Sequence, residues 1–275
     1  MIVGNNINVE LPLELRVSLG IQNGMKIIDK FGSNPSLASG DTKEYLWELG
    51  GDYSWGNDTG ETLYISSSNT GDTQDIVVSV LTTPDGGTTF NEEEVTVTLE
   101  GQTQKAIVTP SGDPVVRCWR MENEADFGND ILGIVYAYYN DTVIAGVPQN
   151  QNKILAVIVN GSNQTKQLMY TIPSGYWGFL WRGEAGATRQ NGIDEVDFAY
   201  KSRRFGKVFK EKKDFGVMTS GSNNYLDLRP FPDIIPPKTD LAIIKANATA
   251  SNMGAWATFH ILLIEESEFN KLQNT

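Results

Sequence analysis

One cysteine and one histidine serve a chain of 275 residues, and each scarcity removes a class of function. Cys118 alone cannot form an intramolecular disulfide, which excludes a disulfide-stapled module and leaves stability to packing. Zinc sites draw on several Cys or His ligands, so the sequence predicts no such site and no cofactor. A histidine-based catalytic triad would have to use His260, which lies in the apolar strand text "ATFHILL" with no G-x-S-x-G elsewhere. It reads as a satisfied sheet histidine, and no catalytic residue is expected. Long apolar runs are missing too. The opening "MIVGNNINVELPLELRVSLG" has neither a basic region nor an apolar run of signal-peptide length, so the chain is expected to be made in a cytoplasm and not anchored in a membrane.

Positive charge is scarce in the first part of the chain. Residues 1–163 hold 8 Lys and Arg against 22 Asp and Glu, a balance of −14, whereas residues 164–275 hold 14 against 12, a balance of +2. Phosphate contacts require Lys and Arg, so the first half is not expected to meet nucleic acid.

Period-two alternation is plentiful. "ETLYISSS", "DIVVSVLTT", "EEVTVTLE", "QKAIVTP", "VVRCWRME", "GIVYAYY" and "KILAVIVN" alternate between turn signals such as "PDGG" and "SNTGD". A second set follows, including "EVDFAYKSRR", "LAIIKANAT" and "WATFHILLIEE". Pro230, Pro232, Pro236 and Pro237 precede the last two of these strands and predict a rigid, non-helical lead-in. The expected fold is all-β, with two β-sandwich domains of jelly-roll or Ig-like type at 41–163 and 164–275 and an extended N-terminal arm and linker at 1–40. The cluster "NGSNQT" marks the boundary. A short helix is predicted in "SGDTKEYLWELGG", where Ser39 or Asp41 would cap Tyr45, Leu46 and Leu49 at helical spacing.

Three stretches carry candidate chemistry. "MENEADFGND" resembles a calcium loop in composition but lacks the D-x-D-x-D-G spacing with a distal Glu, so it reads as a solvated acidic loop. "KSRRFGKVFKEKKDFG" is the one basic cluster, with Phe205, Phe209 and Phe215 interleaved. Alternation turns the rings inward and leaves the cations for solvent or for an acidic protein surface, such as that of a second copy, rather than for nucleic acid. "SGYWGFLWRG" puts Trp177, Phe179 and Trp181 on one face, which is read as sandwich core and, alternatively, as a platform for host surface glycans.

The text "DKFGSNPSLASGDTKEYLWELGGDYSW" resembles a family of virion structural proteins of tailed bacteriophages, in which K-F-G-x-N-P leads to W-x-x-G-G-x-Y. The matching positions are Lys30, Phe31, Gly32, Asn34, Pro35, Trp47, Gly50, Gly51 and Tyr53. The resemblance extends over about residues 26–265, more loosely in "SRRFGKVFK" and "LRPF". It implies a non-enzymatic virion protein that decorates or stabilises the capsid or anchors a head or neck appendage, with major capsid or neck proteins and further copies of itself as partners. Lys30, Phe31, Asn34, Pro35, Arg203, Arg204 and Lys207 are the expected contact residues. The alternative is an adsorption protein binding host glycans.

Overall fold

The structure, a computed structural model, describes residues 11–188, 194–219, 223–227 and 233–273. The fold is all-β, built of antiparallel sheets. Strands are numbered in chain order. Sheet I runs β1 (Met25–Leu37), β19 (Met253–Glu265), β13 (Tyr176–Thr188) and β16 (Asn223–Asp227), with β17 (Asp233–Ile235) also on β13. Sheet II runs β12 (Met169–Thr171), β18 (Thr239–Ala248), β14 (Glu195–Arg204) and β15 (Lys210–Thr219), with β2 (Glu44–Tyr45) on β18. Sheet III holds β5 (Asn91–Thr98), β4 (Asp75–Thr82) and β7 (Val115–Asn123). Sheet IV holds β11 (Ile154–Ile158), β8 (Val135–Tyr139), β3 (Leu63–Ser67) and β6 (Lys105–Ala106). A small hairpin joins β9 (Val143–Ile144) to β10 (Val147–Pro148), and helices α1 (Leu13–Ser18) and α2 (Glu266–Gln273) flank the strands.

Alternation decides which side chains meet. In β4, Ile76, Val78 and Val80 point with Leu63 and Ile65 of β3 and Val135 and Ala137 of β8 into one cluster between sheets III and IV. In β19, Ala255, Ala257, Phe259, Ile261 and Leu263 meet Val196, Phe198, Leu241 and Ile243 between sheets I and II. Both clusters are almost dry, because successive residues of a strand face opposite sides and one apolar set suffices.

Three sequence expectations change here. Residues 25–37 are no arm: β1 pairs with β19 from Met25↔Ile264 to Leu37↔Met253, and Leu37 is buried in the cluster between sheets I and II. Residues 1–10 of the expected arm lie outside the described residues. The stretch 39–51 holds a short strand and a turn rather than a helix, because Glu44 and Tyr45 add to sheet II and Tyr45, Leu46 and Trp47 are all buried. Finally, Trp177, Phe179 and Trp181 sit on the outer face of sheet I, while Gly178 and Leu180 face inward. Helices α1 and α2 half-cover the rings, with Trp177 stacked on Phe269 at 4.5 Å.

A third cluster joins the two pairs of sheets. Tyr45, Trp47, Tyr53 and Trp55 lie between the outer faces of sheets II and IV, against Ala242 and Ile244 on one side and Tyr136, Tyr138 and Val157 on the other. Their rings meet edge to face, Trp47 to Tyr53 at 5.1 Å and Tyr53 to Trp55 at 5.5 Å, the arrangement that aromatic quadrupoles favour. Each buried polar tip has a partner: Trp47 Nε1 donates to Gly50 O, Tyr53 OH to Leu155 O, and Trp55 Nε1 to Tyr45 OH.

Beside this layer lies a buried ion network. Asp240 of β18, 2% exposed, accepts from Arg117 Nε at 3.2 Å and Nη2 at 3.0 Å, from Arg203 Nε at 2.7 Å and from Thr171 Oγ1 at 2.5 Å. Arg117 of β7 also donates to Asp58 Oδ1 at 2.5 Å and to Val116 O at 2.7 Å. The network thus ties sheet III to sheet II. Removing one partner of a buried pair strands the other charge, which costs about 3–5 kcal/mol. Asp240→Asn is therefore expected to lower unfolding stability by about that amount in urea titration, and a loss below about 1 kcal/mol would contradict the role given to the network.

Candidate functional site

Within the K-F-G-x-N-P and W-x-x-G-G-x-Y text, Lys30, Gly32, Asn34, Trp47 and Tyr53 turn inward. Lys30, 8% exposed, donates from Nζ to Trp119 O at 2.6 Å and so bridges β1 to β7. Asn34, 1% exposed, donates to Glu44 Oε2 and to Tyr45 O. Gly32 permits a close approach, since a Cβ there would lie 2.4 Å from Leu168 N and 2.5 Å from Leu46 O. Gly50 and Gly51 both have φ of 66°, which glycine adopts at low cost. Phe31 is half-buried and Pro35 is exposed at the far end of β1. Lys30 and Asn34 are therefore joints of the fold, and the expectation that they contact a partner is corrected.

Arg203, Arg204 and Lys207 divide between two environments because they sit on an alternating strand and its turn. Arg203 points to the network, with its guanidinium 4.8 Å from the Phe209 ring centre. It is half-buried and still borders the cleft described next. Arg204 and Lys207 are exposed and line a cleft of about 460 Å³ between β17 of sheet I and the β14–β15 hairpin of sheet II.

The cleft is basic on balance, with Arg203, Arg204, Lys207, Lys210 and Lys212 against one carboxylate, Asp233. The pairing Ser202↔Lys210 puts Lys210 on the same face as Arg204, and Lys212 follows at the register shift between Glu211 and Lys213. Arg204, Lys207, Lys210 and Lys212 all line it, and none has an ion-pair partner among the described residues. Exposed Val208 and Ile234 add apolar wall. Tyr200, Ser202 and Thr239 supply hydroxyls, and Thr239 Oγ1 is buried without a hydrogen-bond partner. The hairpin is fixed at its turn. Phe205 packs on Phe90 at 5.3 Å, and Lys238 donates to Gly87 O and Thr88 O while lying 4.1 Å over the Phe205 ring. Sequence reasoning placed Lys210 and Lys212 in the basic cluster but named only Arg203, Arg204 and Lys207 as contact residues. Thr239 gave no signal.

Other candidates resolve into structure. His260 pairs across strands with Asp29, its Nδ1 bonded to the carboxylate. Cys118 is buried, and desolvation pushes its thiol up to about 12, so it is no nucleophile at neutral pH. In the acidic loop, Asn163 holds both ends, its Oδ1 accepting from Asn123 Nδ2 and Ile131 N and its Nδ2 donating to Asp130 Oδ1, and no group of three or more His, Cys, Asp or Glu is placed to hold a metal among the described residues. Among those residues no helix is long and apolar enough to cross a membrane.

No family model and no curated protein matches this chain. Solved structures show a weak likeness to viral particles. That of infectious bursal disease virus Gt strain is 10% identical with a TM-score of 0.23, over 92% of this chain and 78% of that one. The infectious bursal disease virus VP2 subviral particle is 11% identical with a TM-score of 0.23, over 88% and 73%. Likeness at this level carries no argument about fold or function.

Lys30 supplies a test of the inward-turned motif. Desolvation, aided by the charge of Arg120, lowers its pKa from 10.5 to about 7. Between those values the unfolded chain binds a proton that the folded chain lacks, so stability rises with pH. Burial acts oppositely on Cys118, raised from 9.0 to about 12, and on Tyr45, raised from 10.0 to about 12. There the folded chain keeps protons that the unfolded chain loses, and stability falls as pH rises. Melting temperature is therefore expected to climb from pH 7, turn near about pH 9 and then fall. Burial lowers Lys201 from 10.5 to about 8 and adds to the climb above that pH, so Lys30→Met should reduce the climb, most of all below about pH 8, and leave the fall; a wild-type profile flat between about pH 7 and 9 would contradict the buried lysine.

Proposed function

We propose that this chain is a non-enzymatic structural protein of a tailed-phage particle, decorating or stabilising the capsid or anchoring an appendage of the head or neck. In this reading the facing pairs of sheets are two β-sandwich domains, and the inward-turned motif residues account for the resemblance as architecture rather than chemistry. Capsid or neck proteins of the same particle are the partners.

The observation that carries the reading is the basic cleft. Four cations on one hairpin, against a single carboxylate, Asp233, in the cleft lining, form a surface suited to neutralisation by another macromolecule. The acidic balance of residues 1–163 makes acidic protein surfaces the available complement. Exposed pairs contribute about 0.2–1 kcal/mol each and are screened within about 8 Å at physiological salt. Charge therefore sets orientation and encounter, and apolar contacts hold the complex.

Particles carrying Arg204→Glu, Lys207→Glu and Lys210→Glu should incorporate the protein more weakly by on the order of 1–3 kcal/mol, most visibly at low salt. Arg203 is left intact so that the buried network survives. Quantitative peptide mass spectrometry of purified particles measures occupancy. Wild-type occupancy of the triple variant would remove the cleft from assembly, and absence of the wild-type protein from purified particles would overturn the virion role.

A further inference from the structure

We propose that the basic cleft of one copy receives the acidic loop Glu124–Leu132 of a second copy. This rests on the reading of the cleft as a protein-docking site and names its occupant.

The two surfaces match in charge and in apolar content. The loop carries Glu124, Asp126 and Asp130, all exposed, around Phe127, which is fully exposed at 108%, and Leu132 at 54%. The cleft carries Arg204, Lys207, Lys210 and Lys212 around Val208 at 76% and Ile234 at 56%. A scattered apolar residue on a surface needs no explanation, but a phenylalanine set among three carboxylates opposes its own solvation and meets its complement in a basic cleft with apolar walls.

The loop is presented on a firm base. Asn123 Nδ2 donates to Asn129 O at 2.9 Å and Ala125 N to Asn123 Oδ1 at 3.1 Å, while Asn163 Nδ2 donates to Asp130 Oδ1 at 2.6 Å. Little ordering is left to do on docking, which lowers the cost of association. The cleft floor offers a further sign of an absent group: Thr239, 3% exposed, leaves Oγ1 without a partner. A carboxylate or a loop carbonyl would satisfy that hydroxyl.

Phe127 is fully exposed, so the loop does not occupy the cleft of its own copy. Cleft and loop are different surfaces, and a contact between them is head to tail. Such contacts close into a ring or continue as an open chain.

The geometry makes a distinctive mixing experiment possible with the purified full chain. Wild type should self-associate in sedimentation velocity, more strongly at low salt. Asp126→Lys/Phe127→Ser has an intact cleft and a spoiled loop; Arg204→Glu/Lys207→Glu has the reverse. Each alone should associate roughly 30-fold more weakly, as loss of an aromatic anchor and its charges implies. Mixed, they should form a one-to-one dimer through the surviving cleft and the surviving loop. Both substitutions are on the surface, and unchanged melting temperatures confirm that each variant folds. A wild type that stays monomeric, a loop variant that associates like wild type, or a mixture that does not pair would each overturn the proposal. So would wild type that stays monomeric while its cleft takes up single-stranded or duplex DNA, which would assign the cations to phosphate. If the wild type is monomeric but the cleft variant is still lost from particles, self-docking fails while the docking role of the cleft stands.

Discussion

One buried carboxylate sets the terms for much of this molecule. Asp240 is almost without solvent and accepts from two arginines and a threonine. Burying a charge is unfavourable unless it is paired and hydrogen-bonded, so each partner must be held in place by its own strand. Arg117 comes from sheet III, and Thr171 and Arg203 from sheet II. Desolvation works against the charge of Arg117, but Asp240 and Asp58 outweigh it and keep the guanidinium ionised. The consequence is positional: sheets that share no strand are registered against each other by a contact that tolerates little displacement.

That constraint extends to the surface. Arg203 and Arg204 are neighbours on β14, and alternation sends the first to Asp240 and the second into the cleft. The basic face of the hairpin is thus oriented by an interior anchor. Lys238 does the same from the other end, since it follows Pro236 and Pro237 in the crossing from β17 of sheet I to β18 of sheet II and clamps the loop at Gly87 and Thr88. The prolines at the head of the last strands therefore make a rigid crossing between sheets. Pro230 and Pro232 lie outside the described residues.

Strands were more legible in the sequence than their surroundings. Alternation located β3, β4, β5, β7, β8, β14, β18 and β19 to within a few residues, because one buried face imposes period two. β1 was hidden by "FGSNPS", which reads as a turn. It is an edge strand whose Pro35 falls at the register shift between Asn34 and Leu37, where a missing donor costs little. The helix expected at residues 39–51 lost to burial of Trp47 and Tyr45, since propensity is a weak prior beside tertiary packing. For Trp177, Phe179 and Trp181 the periodicity was right and the side was wrong. Nothing in alternation tells which face of β13 meets a sheet and which meets α1 and α2. Arg204 and Lys207 were legible as charge, whereas Lys30 and Asn34 looked like surface only because their partners, Trp119 O and Glu44, come from other segments.

The central claim is that the ion network and the aromatic layer make the two pairs of sheets one cooperative unit. Differential scanning calorimetry of the intact chain tests it directly. A single transition whose calorimetric and van't Hoff enthalpies agree is the predicted result. Two separable transitions, with one pair of sheets melting while the other stays folded, would contradict it.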